Sequence, residues 1–373
     1  MKKLLVTLVA SVLCMIGANA EENTTLVATL SHGNSLTAYY GKNALYAAYN
    51  AAKDGDIITL SAGTFTSVAM SKNITIRGVG GWADASSDNV ITCIDGVANY
   101  KLEDNDYELR IEGVKYLCRV TVENSLNVTK ECTFSKVNFS IDNYGYSFDL
   151  PEKVFAKLDN CVTVGRLSVY GGACTNCVFN GVHSHKPSQG STPLTLQNCV
   201  IRDYSTGNNW DYNVSTFKED FITNCIFIFS YDGTYNKSPL DESNTVHNCV
   251  VFNTKNNGID IFQNISNSSN KTVTDRDKFF KNSELLSKTT DKYGDVTEYY
   301  VKFDNLTKDG KGLFELSDEA KEIYKGNDGT VVGVWGGATP FNMTPSNPRI
   351  TKCEIVPKVN AEGKLSVTIE VAQ

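Results

Sequence analysis

The sequence has no excess of basic residues. Its 373 residues include 35 lysines and arginines against 42 aspartates and glutamates, which gives a formal net charge of −7 at pH 7. We therefore predict no nucleic-acid partner, because binding nucleic acid requires a concentrated basic face. A strongly anionic glycan is disfavoured for the same reason, unless a local patch reverses the average charge.

The sequence also lacks, beyond its first residues, any apolar run that could span a bilayer as a helix, and the first run is too short to do so. That run, residues 4–17, follows Lys2-Lys3 and precedes Ala18-Asn19-Ala20. Charged, apolar and small residues in this order are typical of a secretory signal peptide. We therefore predict that residues 1–20 are a signal peptide cut after Ala20, and that the protein is secreted or displayed at the cell surface.

A four-cysteine metal site is missing as well. Cys174 and Cys177 have the C-x-x-C spacing of redox pairs and zinc ligands, but the sequence contains no second C-x-x-C to complete a site. The 11 cysteines include Cys14 within the signal peptide, and an even number remains after cleavage. In an exported protein an even number allows a disulfide framework.

The pattern around the cysteines favours another role for them. One phrase recurs five times, an apolar residue, any residue, then Asn-Cys, and its cysteines are Cys161, Cys177, Cys199, Cys225 and Cys249. Such self-similarity at a short period is typical of stacked repeats. The five cysteines would stack as buried thiols whose side chains point in parallel, so we expect core residues rather than disulfides.

Two apolar columns accompany the cysteines. The residues three positions before each cysteine and two positions after it are apolar, with one threonine, and they should point inward and stack. They are Leu158, Cys174, Leu196, Ile222 and Val246, and Thr163, Phe179, Ile201, Phe227 and Val251. With a corner at each asparagine, the asparagines are predicted to form a ladder in which each side-chain amide bonds to its neighbours above and below.

The N-terminal part of the chain carries a resemblance. Alanines at helical spacing between residues 44 and 52 precede Gly55-Asp56, an apolar strand at 57–60, Gly63-Thr64-Phe65 and an Ile-Thr-Ile strand at 74–76. This series resembles the opening of right-handed parallel β-helix proteins of the pectate-lyase-like superfamily, and with the phrases the likeness spans residues 43–262. It implies a bacterial secreted protein and a helix that caps the open end of the coil, since an uncovered end would expose unpaired strand edges.

The predicted fold is therefore all-β: a single-stranded right-handed parallel β-helix with an N-terminal helical cap and a C-terminal β-hairpin. Residues 21–344 are assigned to the β-helix domain and residues 345–373 to the hairpin, whose strands are expected at 350–356 and 365–371. The glycine-rich residues 326–329 and 333–337 resemble the final turn of bacterial secreted members of the superfamily.

The candidate site lies in three long loops, at residues 183–193, 203–220 and 230–244, which leave the coil on one side and could wall a groove. The predicted catalytic residues are Arg202, Asp203 and His185, since a lyase needs a cation for the uronate carboxylate and a base. Aromatic side chains with polar tips suit stacking on sugars, and the predicted substrate-binding residues are Tyr204, Trp210, Tyr212 and Tyr231. No cofactor is predicted. Ca²⁺ would suit the family's lyases, but no cluster of acidic residues at adjacent outward positions indicates it.

One stripe of the predicted coil needs a cover. The residue after each cysteine faces outward by alternation yet is apolar in all five phrases: Val162, Val178, Val200, Ile226 and Val250. An apolar stripe of this length should not face water. Either the long loops fold over it, which we favour, or it receives a ligand or another chain.

Two hypotheses for function follow. The first is a protein that engages extracellular polysaccharide along the loop-walled face, either as a lyase or hydrolase or without turnover. The second is a structural or adhesive surface module that binds another protein. A fold alone does not decide between them.

Overall fold

The protein was analysed as a computed structural model of the whole chain. The structure describes residues 26–82, 91–103, 108–125, 128–140, 146–185, 192–204, 215–230, 238–253, 261–262, 264–265, 267–273, 276–281, 286–290, 296–301, 314–346, 349–355 and 367–372. The predicted signal peptide lies outside these residues. None of the helices in the described ranges is long and apolar enough to cross a membrane.

Parallel strands dominate the described residues and stack into three long sheets. Between residues 75 and 185 the chain visits the three sheets in turn, so that each turn of the chain adds a strand to each sheet. We call one such turn a rung. The prediction of an all-β, mainly parallel fold is confirmed, and the stacking is compatible with a parallel β-helix.

The strands of each sheet are given in spatial order. The first sheet contains β2 (Ser35–Tyr40), β1 (Val27–His32), β3 (Ile57–Leu60), β5 (Thr75–Arg77), β8 (Leu109–Glu112), β11 (Lys130–Ser135), β14 (Val154–Asp159), β17 (Gly172–Thr175), β20 (Leu194–Gln197), β22 (Phe221–Thr223) and β24 (Thr245–His247). The second contains β4 (Gly63–Thr66), β6 (Thr92–Asp95), β9 (Lys115–Tyr116), β12 (Asn138–Phe139), β15 (Val162–Thr163), β18 (Val178–Asn180), β21 (Val200–Tyr204), β23 (Ile226–Ser230), β25 (Val250–Asn253) and β26 (Lys271–Val273). The third contains β7 (Ala98–Leu102), β10 (Val120–Asn124), β13 (Tyr146–Asp149), β16 (Arg166–Val169) and β19 (Val182–Ser184).

The remaining elements lie outside the parallel ladders. Strands β1 and β2 join the first sheet as an antiparallel pair at its N-terminal edge. Helix α1 (Ala44–Ala51) follows them and buries Ala44, Leu45, Ala48 and Tyr49 in the same core as the first strands. Two further antiparallel pairs and two short helices complete the described elements: β27 (Leu286–Thr290) with β28 (Val296–Val301), β29 (Arg349–Ile355) with β30 (Val367–Ala372), α2 (Arg276–Phe279) and α3 (Asp318–Ile323). The domain boundary at residue 344 stays a prediction.

The two apolar columns form as the sequence predicts. Leu158 pairs with Cys174, and Thr163 pairs with Phe179, and the same register continues through the following rungs. All ten column residues are buried. The five cysteines are buried and free, which confirms the thiol prediction over a disulfide framework.

The cysteines also bond to one another through the backbone, which the sequence did not indicate. The backbone N–H of Cys161 donates to Sγ of Cys177 at 3.3 Å, and Cys199 and Cys225 donate in the same way to the cysteine of the next rung at 3.4 Å. At the last rung, Oδ1 of Asn270 replaces the sulfur and accepts the N–H of Cys249 at 2.9 Å. The sulfur therefore satisfies a backbone donor that the sharp corner would leave unpaired.

The prediction that the corner asparagines bond to one another is wrong. Each corner asparagine has a positive φ, between 49° and 55°, a conformation that asparagine tolerates better than most residues. Four of the side chains, however, bond to one distant segment, residues 326–346, which we call the strap. Asn224 bonds to Asn327, Asn198 to Val331, Asn176 to Val334 and Gly336, and Asn160 to Asn342.

The strap runs back along the stack from the later rungs to the earlier ones. As the strap advances, the residue numbers of its partners fall from Asn224 to Asn160. The strap ends where the backbone N–H of Ser346 donates to Oε1 of Glu112 at 2.7 Å. Glycine lets it come close: a Cβ at Gly326 would lie 2.6 Å from the side chain of Asn224. The glycine-rich residues expected to form a final turn thus form this strap.

The strap also covers the apolar stripe. The five stripe residues are buried in a second hydrophobic cluster, separate from the interior core, with Val332, Val334, Phe341 and Met343 of the strap. Phe279, Phe280, Phe314 and Leu316 extend the same cluster. The three long loops were expected to cover the stripe, but the cover comes from residues 314–346.

Candidate functional site

The predicted site residues do not all fall in the described part of the chain. Trp210, Tyr212 and Tyr231 lie outside the described residues. Asp203 and Tyr204 are the last two residues of β21, and the structure describes only their backbone. Their roles, and the loop-walled groove to which they were assigned, stay predictions.

Arg202 and His185 are described. Arg202 lies in β21 of the second sheet, is 7% exposed, and pairs in register with Asn180 on one side and Ile228 on the other. His185 directly follows β19 of the third sheet and is half-buried. The two residues therefore belong to different sheets.

The outer face of the third sheet carries a cluster that the sequence did not single out as a whole. Strand alternation explains it: Leu167, Val169 and Val182 point into the core, so their neighbours along β16 and β19 point outward. The register then places Ser168 beside His183. Tyr146 of β13 pairs with Arg166 of β16.

Four of these outward side chains form a continuous row of rings. The ring of Tyr146 lies 6.3 Å from that of His183 at an interplanar angle of 18°. His183 lies 4.2 Å from His185 at 35°, and His185 lies 4.4 Å from Tyr170 at 14°. We call Tyr146, His183, His185 and Tyr170 the ring row. All four members are half-buried, so part of each ring remains open to solvent.

Hydrogen bonds fix the two imidazoles of the ring row. The hydroxyl of Tyr146 lies 3.2 Å from Nδ1 of His183, and the hydroxyl of Ser168 lies 3.2 Å from Nε2 of His185. Nη1 of Arg166 donates to the Tyr146 hydroxyl at 3.3 Å. One nitrogen of each imidazole is therefore held by a hydroxyl group.

Two arginines face the first ring of the row. The guanidinium carbons of Arg119 and Arg166 lie 5.7 and 5.1 Å from the centroid of Tyr146, within the range of cation–π attraction. Arg119 also binds the carboxylate of Asp149 at 2.6 Å. Two guanidinium groups and one carboxylate give this part of the face a local positive charge, opposite in sign to the chain as a whole.

Burial and charge keep both histidines neutral. Burial lowers the pKa of His183 to about 4, and the neighbouring His185 and Arg166 lower it further, against a smaller opposing effect of Asp149. The pKa of His185 is lowered as well, chiefly by burial. Near neutral pH the ring row therefore offers uncharged imidazoles, which can each accept one hydrogen bond and donate another.

The stacked cysteines are shielded from solvent. Against the effect of burial, hydrogen bonds from Cys177 and Cys225 lower the pKa of the Cys199 thiol, but that residue is fully buried. Burial raises the pKa of the Cys174, Cys177 and Cys225 thiols well above its ordinary value, and the thiolate is the reactive form. Across the described ranges, no three side chains among His, Cys, Asp and Glu lie close enough together to hold a metal ion. The ring row and its arginines thus remain as the candidate site.

Comparison of the chain with protein-family models, with curated proteins and with solved structures finds no match.

Proposed function

We propose that the protein is a secreted or cell-surface bacterial protein that binds extracellular polysaccharide through the ring row on the outer face of the third sheet. The observation that carries this proposal is the row itself: four rings in contact, half-open to solvent and flanked by Arg119 and Arg166. Rings that combine an apolar body with a polar atom suit sugars, which present both C–H and hydroxyl surfaces.

The polar groups of the site match the hydroxyl groups of a glycan. The tyrosine hydroxyls and neutral imidazoles can donate or accept hydrogen bonds, and the guanidinium groups favour an oxygen-rich or carboxylated sugar. The local positive charge supports uronate-containing polysaccharides as ligands, despite the acidic composition of the whole protein.

The finer description of the fold belongs to the same proposal. We take the stack to be a single-stranded right-handed parallel β-helix like those of the pectate-lyase-like superfamily, with α1 as the cap of its N-terminal end. Burial of Ala44, Leu45 and Ala48 against the first strands supports the cap. The antiparallel pair of β29 and β30 supports a C-terminal hairpin.

Two observations favour glycan binding over the alternatives. The apolar stripe that could have received a protein partner is covered by the strap. Hydrolysis by a pair of carboxyl groups would need two free acids, whereas Asp149, the carboxylate that acts on both imidazoles, is bound to Arg119. Binding without turnover is therefore the form of the proposal.

The test uses residues 21–373 with a panel of neutral and uronate-containing polysaccharides. Binding is followed by affinity electrophoresis, and the release of unsaturated or reducing ends is followed in parallel. Tyr170→Ala should abolish binding. The matched control Tyr46→Ala removes a tyrosine that is 58% exposed on α1 and should leave binding unchanged.

Each remaining outcome points elsewhere. Binding that survives Tyr170→Ala but is lost in Trp210→Ala would move the site to the predicted loops. Product formation that Arg202→Ala abolishes would make the protein an enzyme with its centre near the second sheet. Absence of binding to every glycan in the panel would contradict the proposal and favour a protein partner.

A further inference from the structure

Strand β2 forms one edge of the first sheet, at the N-terminal end of the stack. It pairs with β1 along its whole length without a bulge, and no other strand in the described ranges pairs with it. Native proteins usually guard such an edge with lysine, proline or a bulge, because a row of free N–H and C=O groups can pair with another chain. β2 reads Ser-Leu-Thr-Ala-Tyr-Tyr and has none of these guards.

Backbone hydrogen bonds show which residues of β2 direct their polar groups outward. The N–H of Gly41, just after the strand, donates to the carbonyl oxygen of Leu26 at 2.8 Å. The carbonyl oxygen of Val27 instead points to the β3 side, where it accepts the N–H of Ser61 at 2.9 Å. Backbone direction alternates along an antiparallel strand, so every second residue counted back from Gly41 bonds to β1. The residues between them direct both groups away from β1, and we call them the edge residues: Leu36, Ala38 and Tyr40.

The side chains of the edge residues lie on the outer face of the sheet. Tyr39 pairs with the buried Ala28 and packs against the interior core. Neighbours along a strand point to opposite faces, so the edge residues point away from that core. Leu36 is 38% exposed and Tyr40 is 49% exposed. An apolar side chain and an aromatic ring therefore flank the outward backbone groups.

We propose that β2 pairs antiparallel with β2 of a second copy of this chain, about a two-fold axis that passes between their Ala38 residues. The axis places Ala38 opposite its own equivalent and Leu36 opposite Tyr40 of the second copy. In this register the same faces of the two sheets stay together, and each outward N–H and C=O group of the edge residues gains a partner. A two-fold contact of one surface with itself is the commonest form of homodimer.

The composition of β2 favours a second copy over a foreign segment. β2 contains no charged side chain, so two copies meet without the repulsion that directly opposed like charges cause. The edge also complements itself, because Leu36 meets Tyr40 twice and both pairs bury apolar surface. A single strand makes a small contact, so the dimer is a reversible one. The pairing uses no residue of the ring row and goes beyond glycan binding without depending on it.

Sedimentation equilibrium of residues 21–373 over a range of concentrations tests the dimer. Wild type should show a reversible equilibrium between one and two chains. Ala38→Pro removes the outward N–H at the axis without removing a bond to β1, and should weaken dimerisation at least tenfold. Ala38→Lys and Ala38→Glu should each weaken it as much, because like charges then face each other across the axis. An equimolar mixture of these two variants should restore the dimer.

Cross-linking adds a positive result that a misfolded variant would not give. Directly opposite residues that share hydrogen bonds have Cα atoms about 5.5 Å apart, which a disulfide can bridge. Ala38→Cys should therefore form a disulfide-linked dimer on mild oxidation. The matched control is Thr29→Cys, which alters the partner of Ala38 on β1, one strand further from the axis, and should not cross-link.

Three outcomes would overturn the inference. They are a wild type that stays monomeric at every concentration, a dimer that none of the Ala38 variants weakens, and cross-linking of Thr29→Cys as readily as Ala38→Cys. Circular dichroism identifies any variant that fails to fold, and the remaining Ala38 variants then decide. Because no glycan is present, none of these results bears on the proposed function.

Discussion

The side-chain nitrogen of Asn176 lies 2.8 Å from the carbonyl oxygen of Val334, a residue 158 positions further along the chain. The same nitrogen lies 2.8 Å from the carbonyl oxygen of Gly336. Both bonds are buried, and a buried carbonyl that loses its donor costs about 1–3 kcal/mol. The corner asparagines are therefore the points at which the strap is fastened to the stack.

Replacing Asn176 with glycine should lower the free energy of unfolding by about 1–3 kcal/mol, because the buried carbonyl oxygen of Gly336 loses its side-chain donor. The carbonyl oxygen of Val334 still accepts the N–H of Phe341. Glycine is the suitable replacement, since residue 176 has a φ of 49° that glycine adopts without strain. Asn176→Ala should cost about 1 kcal/mol more, because alanine is strained there. Equilibrium unfolding in urea measures both variants. Equal stability of Asn176→Gly and wild type would show that only the backbone corner matters.

Replacing Gly326 with alanine should loosen the strap at its first contact. The new Cβ would lie 2.6 Å from the side chain of Asn224, so the strap or the asparagine must move, at a cost of about 1–3 kcal/mol. Gly329→Ala is the control. A Cβ there meets nothing within 4 Å, although the φ of 77° alone costs about 1 kcal/mol. A larger loss of stability in Gly329→Ala than in Gly326→Ala would contradict close packing of the strap.

The repeat in the sequence was sufficient to predict the inward columns. Residues such as Leu158, Thr163 and Phe179 recur at fixed offsets from a cysteine, and alternation along a strand decides which side chains point inward. The same reasoning predicted that Val162 and its equivalents need a cover. It could not predict which segment supplies that cover, because a stripe of apolar residues accepts many apolar partners. The strap is also distant in sequence: Gly333 packs beside Ile226 and Val200.

The ring row was predictable only in part. The alternation of His183 and His185 on one face can be read from the sequence. The same alternation does not place Tyr146 and Tyr170 beside them. Tyr146 lies in β13 and Tyr170 directly follows β16, and no repeated motif in the sequence fixes the register of the third sheet. The asparagine ladder failed for a related reason: local spacing shows that the amides align but not that a distant backbone will occupy them.

The stacked cysteines should resist thiol reagents in the native protein. Burial leaves no access to Cys177, Cys199 or Cys225, so labelling by Ellman's reagent should be at least about 100-fold slower than in urea, where the chain is open. Mass spectrometry after partial labelling identifies the sites. Among the cysteines whose side chains the structure describes, early labelling should fall on Cys93 or Cys118, which are each 7% exposed. Early modification of Cys199 would show that the stack opens locally, in conflict with its hydrogen-bonded corners.

The buried carboxyl group of Asp220 should make the protein less stable as the pH rises from about 4 to 7. Burial raises the pKa of Asp220 from 3.8 to about 7, although its two oxygens accept the N–H groups of Leu194 and Lys218. The folded protein then holds a proton that the unfolded chain releases above pH 3.8, so the stabilisation is complete below that value and is lost through pH 7, by up to about 4 kcal/mol. Asp220→Asn should flatten urea-unfolding profiles across this window. The pKa of Asp241 is lowered, so its stabilisation is present above about pH 4 and is lost below it. Asp241→Asn should therefore lower stability by a constant amount between about pH 4 and 7 and leave the slope there unchanged. A profile for Asp220→Asn that still falls between about pH 4 and 7 would assign the effect to another group.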